Sequence, residues 1–112
     1  MNQENIDIII PIYNAEKTIA ETLQSIIMQS YTSWRVIIID DGSIDKSVDI
    51  VKKYMKKDSR IEYFYKENGG IISARIAGIK RIKNKFVMLI DSDDILHSQC
   101  LEIFKLLMEK TD

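Results

Sequence analysis

One cysteine, one proline and one histidine stand among 112 residues. The lone Cys100 excludes an internal disulfide and fits a reducing compartment. No apolar run approaches the roughly 20 residues needed to cross a bilayer. Between Met1 and Asp7 no basic segment leads into an apolar stretch, so no signal peptide is expected. Neither sign of charge is in excess: 16 basic side chains face 17 acidic ones, for a net charge of −1. That balance removes the electrostatic case for a nucleic-acid partner. The Walker A pattern, a Gly-x-Gly-x-x-Gly after the first apolar block and a Gly-x-Ser-x-Gly elbow are all missing. Their absence argues against a P-loop NTPase, a dinucleotide enzyme and an α/β-hydrolase. What is present is an ordinary hydrophobic fraction of 46%, enough to exclude wholesale disorder. The length suits one domain or a piece of one. The expected location is cytoplasmic, with peripheral attachment at the inner membrane face left open.

Isoleucine dominates the apolar set and falls in clusters. Four short blocks are rich in β-branched or aromatic residues: 6–12, 36–39, 61–65 and 86–90. Continuous apolar runs of this length suit strands buried on both faces, as in parallel sheets. Between them the period turns helical. Ile19, Leu23, Ile26 and Ile27 form one stripe, and Val48, Val51, Tyr54 and Met55 a second. Ile72, Ile76 and Ile79 form a third, and Leu101, Phe104, Leu107 and Met108 a fourth. Asn14 and Ser43 are placed to cap the first two helices, with Asp45 near the positive end of the second. The expected fold class is therefore α/β: a mostly parallel sheet with helices on both faces, in strand order 3-2-1-4. The single proline, Pro11, sits at the exit of the first strand, where its missing N–H is tolerated.

Ligands of open α/β sheets bind beyond the carboxyl ends of the strands. The segments there are Tyr13-Asn14, Asp40-Asp41-Gly42-Ser43, Glu67-Asn68-Gly69-Gly70 and Asp91-Ser92-Asp93-Asp94. Five aspartates thus gather at one sheet edge. Clustered like charges oppose their own ionisation. A divalent cation relieves that repulsion, and oxygen-only ligands suit Mg²⁺ or Mn²⁺. For either acidic turn alone, helix capping or solvation is the commoner explanation; two such turns at one edge favour a ligand. Tyr13 could stack on a base. Gly69-Gly70 could let the backbone approach a phosphate, though a turn is the plainer reading. Arg75 lies one turn into the third helix, within reach of the edge. His97 follows the acidic turn and could ligate a metal or serve structure alone. Cys100, without a partner cysteine, reads as packing in an amphipathic helix.

Taken in order, these segments resemble the family 2 glycosyltransferases of the GT-A fold. Ile8 to Asn14 resembles their opening strand, Asp40 to Asp45 their second-strand turn, and Glu67 to Arg75 their third signature. Asp91-Ser92-Asp93-Asp94 resembles their Asp-x-Asp metal motif. The likeness runs from about Ile6 to Leu101. It implies inverting transfer of a sugar from a nucleotide diphosphate sugar, a UDP-sugar above all, to an acceptor hydroxyl. The implied acceptor is a glycan or lipid-linked sugar, as in cell-surface polysaccharide assembly. By the same resemblance Pro11, Tyr13, Asn14, Asp41, Arg75 and Asp91 bind the nucleotide. Tyr13 would pack on the base, Asp41 hydrogen-bond it, and Asp91 lie near the ribose. Asp93 would hold Mn²⁺ or Mg²⁺, with Asp94 a second candidate. Two positions depart from the family pattern: Ile76 stands where Asn is usual, and Ser98 near a usual Pro. Family members are at least twice as long. Residues 1–112 are thus expected to be the nucleotide-sugar-binding part, with the acceptor-binding half and the general base outside this chain. Self-association is a further expectation, because one sheet edge is left bare. Two rival readings stay open: a non-catalytic nucleotide-binding or interaction module, and a phosphotransfer or phosphatase-like α/β domain.

Overall fold

Isoleucine-rich runs that alternate with helical stripes fold into four βα units. A computed structural model describes residues 4–111; Met1 to Gln3 and Asp112 lie outside the described residues. The strands are β1 (Ile6–Ile12), β2 (Trp34–Asp41), β3 (Ile61–Lys66) and β4 (Phe86–Leu89). The helices are α1 (Ile19–Ile27), α2 (Ser47–Lys57), α3 (Ile71–Ile79) and α4 (Cys100–Thr111). All three strand pairings are parallel, in the order β3-β2-β1-β4. The expected fold class and strand order are both met.

β1 is buried along its whole length, which is what a central strand covered on both faces requires. Ile6, Ile8, Ile10 and Ile12 pack with Val36, Ile38, Leu23, Ile26, Val51 and Leu101, in the layer that holds α1, α2 and α4. Ile9, Ile37 and Ile39 point the other way and meet Ala74 of α3. Each fully buried isoleucine contributes on the order of 1.5–3 kcal/mol, so the sheet interior dominates stability.

Asp7 interrupts the apolar alternation of β1 and is fully buried. Its carboxylate accepts the N–H groups of Lys83 (2.7 Å) and Asn84 (3.0 Å) and the Asn84 side-chain amide (2.6 Å). Arg35, its neighbour in register on β2, donates at 3.3 Å and also pairs with Glu62 of β3. Burial opposes the charge of Asp7, but these donors outweigh it and hold the carboxyl below its usual range.

Two expectations about helix faces need correction. The isoleucine stripe of α3 faces outward: Ile72, Ile76 and Ile79 are 62%, 48% and 50% exposed. Ala74 and Gly78 are the buried residues of that helix. A Cβ on Gly78 would lie 2.4 Å from Ile9 Cγ2, so the helix backbone rests directly on the sheet. Close approach over small residues has won over burial of the larger ones. On α4, Leu101 is buried and Phe104 and Met108 pack against the core, while Leu107 is exposed.

The capping expectations also fail. The residues before α1 and α2 are Thr18 and Lys46, and neither makes a side-chain cap bond. Asn14 and Ser43 bond to each other's turns instead. Asp45 does sit at the start of α2, where it accepts from the N–H and the hydroxyl of Ser47.

Candidate functional site

The carboxyl ends of β1 and β2 are sewn together by reciprocal bonds. Asn14 N–H donates to Ser43 Oγ at 2.8 Å, and Ile44 N–H donates to Asn14 Oδ1 at 2.9 Å. Asn14 takes a left-handed φ of 50° to do this, a conformation that asparagine tolerates better than most residues. Ala15 N–H and Glu16 N–H reach Ser47 Oγ and Asp45 Oδ2 in the same way. The pairings present Tyr13, 54% exposed, at the rim of the edge.

The two aspartates that end β2 face different tasks. Asp40 accepts the N–H of Ser43 at 2.9 Å and the hydroxyl of Tyr63. Burial, and then the Asp40 carboxylate, push the Tyr63 phenol well above its usual range. Asp41 turns toward the segment after β3. It accepts from Lys66 Nζ, Gly69 N–H and Gly70 N–H, each at 2.9 Å, and from Asn68 Nδ2 at 3.3 Å. Burial would raise its pKa; the Lys66 ammonium and the two glycine donors overcome that and keep the carboxyl below its usual value. Asn68 also donates to the Asp41 carbonyl at 3.0 Å. Its backbone leaves no room for a side chain at residue 42, where a Cβ would fall 2.9 Å from Asn68 N, so Gly42 takes φ 81° there.

The turn after β4 is built differently. Asp94 Oδ2 accepts the Asp91 N–H at 2.8 Å, and Thr22 Oγ1 donates to the Ser92 carbonyl at 2.8 Å. Arg75 reaches across from α3 to Asp91 Oδ1 at 3.3 Å. Asp91, Asp93 and Asp94 are all exposed, and one carboxylate oxygen from each lies within 4.8 Å of the others. Three convergent carboxylate oxygens suit a hard divalent ion such as Mn²⁺ or Mg²⁺.

The five aspartates at this edge therefore do not form one set. Asp40 and Asp41 have their acceptors filled by the chain, and only the three after β4 converge. Likewise the Gly69 and Gly70 N–H groups both donate to Asp41, in keeping with the plainer reading of this pair as a turn. His97 stands outside the acidic group and accepts the Gln99 N–H through Nδ1. Cys100 is a partly buried free thiol.

Between the turns lies a cleft of about 670 Å³, within the usual size of a small-molecule site. Pro11, Tyr13, Asn14, Asp41, Asp91 and Asp93 all line it. Arg75 is absent from its wall but bonds to Asp91, and Asp94 is held behind the same turn. Sequence reasoning passed over Thr18, Asn68 and Ile71, which also line the cleft. Asn68 and Ile71 lay inside a recognised segment but were given no role of their own.

The glycosyl transferase family 2 model matches residues 7–112. The chain belongs to this family. An uncharacterized glycosyltransferase of Rickettsia conorii is 37% identical over all 112 residues, which amount to 18% of that protein. Glycosyltransferase GlyG of Streptococcus pneumoniae serotype 4 is 35% identical over 96% of this chain and 36% of its own length. Residues 1–349 of S. aureus TarS, solved in complex with UDP-GlcNAc, superpose with a TM-score of 0.87 at 30% identity. That match covers 95% of this chain and 31% of the TarS chain. The family 2 chain thus spans less than half the length of these relatives. Membership removes the phosphotransfer alternative.

Proposed function

We propose that this chain is the donor-binding part of a metal-dependent, inverting glycosyltransferase that moves a sugar from a nucleotide diphosphate sugar to an acceptor hydroxyl. The observation that carries the reading is the convergence of Tyr13, Asp41, Asp91 and Asp93 on one cleft at the carboxyl edge of the sheet. In this reading Tyr13 stacks on the base and Asp41 accepts its ring N–H, in the place now held by the longest of its four donors, Asn68 Nδ2. Pro11 and Asn14 shape the wall, Arg75 orients Asp91, and Asp91 lies near the ribose. Asp93, with Asp94 beside it, holds Mn²⁺ or Mg²⁺. Bound there, the ion would neutralise charge on the leaving diphosphate. TarS, crystallised with UDP and with UDP-GlcNAc, supports a uridine nucleotide as the donor carrier.

The acceptor is a glycan or lipid-linked sugar, and the general base comes from outside residues 1–112. A base must stand within about 2.6–3.2 Å of the proton it removes, and the cleft holds no carboxylate free for that task besides the metal group. The chain is accordingly expected to bind nucleotide sugar and to transfer none of it. A non-catalytic module would bind nucleotide as well, so transfer and binding have to be assayed on one sample.

Titration calorimetry with UDP tests the site. Affinity should depend on Mn²⁺ or Mg²⁺ and collapse with chelator; equal affinity in both conditions would refute the metal bridge. UDP should bind more tightly than CDP, because uracil offers a ring N–H and cytosine in a nucleotide does not. Asp41→Ala should weaken UDP binding about tenfold and erase that preference, being the loss of one charge-assisted hydrogen bond. Selectivity that survives the substitution would remove Asp41 from the role of reader.

A further inference from the structure

From Gly69 to Ile90 the sequence carries five basic side chains and no acidic one, within a chain of net charge −1. Arg75 turns to Asp91. The other four, Lys80, Arg81, Lys83 and Lys85, follow the last turn of α3 and are exposed. The outward isoleucines of α3 lead straight into them. Ile72, Ile76 and Lys80 line one shallow depression. Lys80, Arg81 and Lys83 line the next, together with the paired Arg35 and Glu62 of the neighbouring strands. Apolar stripe and basic run are therefore one continuous surface joined at Lys80.

The other helices lack this combination. The exposed face of α2 carries Lys52, Lys53, Lys56 and Lys57 without large apolar partners. The outer face of α4 exposes Ile103, Leu106 and Leu107, but Glu102 and Glu109 lie among its cations. Among the described helices, α3 alone leads from bare isoleucines into a run of basic side chains with no acidic residue between Gly69 and Ile90.

The geometry points to the outer face of α3 and the turn Lys80–Lys85 as a docking surface for an anionic lipid bilayer. Isoleucines enter the headgroup boundary while the lysines and arginine of the following turn meet lipid phosphates. A protein partner fits less well, since the cores of protein interfaces are depleted in lysine. Ile71, beside this surface, lines the nucleotide cleft. The basic turn follows the other end of α3, at the amino edge of the sheet where Lys83 N–H meets Asp7, so docking leaves the cleft open at the opposite edge. The surface itself stands on exposure and charge and does not depend on the nucleotide reading.

The test is co-sedimentation of the chain with vesicles of phosphatidylcholine alone and of phosphatidylcholine mixed with phosphatidylglycerol. The chain should pellet with the anionic vesicles only and be released by high salt. Lys80→Glu with Lys83→Glu should weaken binding about tenfold or more. Ile72→Ser with Ile76→Ser should weaken it too, leaving the salt response in place. All four residues are exposed, and circular dichroism of each variant checks the fold independently of nucleotide binding. Equal binding to both vesicle types, no binding to either, or indifference to the charge reversals would overturn the proposal. A dimer in lipid-free solution that the isoleucine variants dissolve would assign the face to a second copy. Vesicle binding by this chain that is lost in a longer polypeptide containing it would assign the face to that polypeptide. Either result also overturns the proposal.

Discussion

Asp7 and Asp93 stand at opposite ends of the same sheet. Asp7 is fully buried and accepts from Lys83, Asn84 and Arg35. Asp93 is exposed and, among the described residues, has no hydrogen-bond partner in the chain. Both are carboxylates of one small domain. The difference lies in who answers the charge. At the amino edge the chain supplies every donor, so the aspartate is part of the architecture. In the turn after β4 it supplies one donor each to Asp91 and Asp94, and three carboxylates converge. A buried charge without partners would cost several kcal/mol, whereas an exposed cluster waits in water at little cost until a cation binds. Asp41 is intermediate: it lines the cleft, yet its oxygens already hold the turn after β3.

The comparison breaks most visibly at Asp7. Asp7→Ala leaves the Arg35 guanidinium and the N–H groups of Lys83 and Asn84 short of an acceptor. Removing one partner of a buried pair costs about 3–5 kcal/mol, to be read from urea unfolding. A loss below about 1 kcal/mol, the scale of an exposed pair, would place the two edges on an equal footing. Acid sharpens the same point. The Asp7 carboxyl is held below its ordinary 3.8 when folded, so below that value the unfolded chain takes up the proton first. The stabilisation is complete above about pH 4 and is lost as pH falls through the lower folded value. Unfolding followed against pH should show that slope in the wild type and a shallower one in Asp7→Ala.

Gly78→Ala comes next in size. Its new methyl meets Ile9 of the central strand, and overpacking of this kind costs about 1–3 kcal/mol. A lowered thermal midpoint is expected, with UDP affinity unchanged in the folded protein. An unchanged midpoint would mean that α3 is free to lift from the sheet. Asp93→Asn should move stability least, within about 0.5 kcal/mol as for most surface changes. The same substitution should remove the dependence of UDP affinity on Mn²⁺ in calorimetry. Loss of stability on this scale with metal dependence intact would invert the roles of the two edges.

The sheet was legible because long isoleucine runs have few ways to be buried, and four βα units of regular spacing leave one economical topology. The cleft was legible for a related reason: strand ends are where such folds bind ligands, and the turns there carry unusual chemistry. Four features escaped for physical reasons. α3 was assigned its buried face by counting isoleucines, when the closeness of packing over Ala74 and Gly78 decided it. Asn14 and Ser43 have the side chains of helix caps, yet each bonds to the turn the other belongs to, a pairing 29 residues apart in sequence. Asp7 drew no reading of its own, since its partners Arg35, Lys83 and Asn84 are distant in the chain. Asp41 was read as available for a ligand because no local pattern announces that Lys66 and the glycine N–H groups converge on it.

The position of β1 sets an order in time. It is the first strand in the chain and an inner strand of the sheet, bonded to β2 on one side and β4 on the other. During synthesis β2 follows soon, but β4 begins only at Phe86. At about 5–20 residues per second, one flank of β1 waits several seconds with its N–H and C=O groups unmatched. That flank belongs to a strand buried along its whole length once folded, the kind of edge that recruits other chains. Slower translation between Lys66 and Phe86 would lengthen the wait, and the yield of soluble protein would register it.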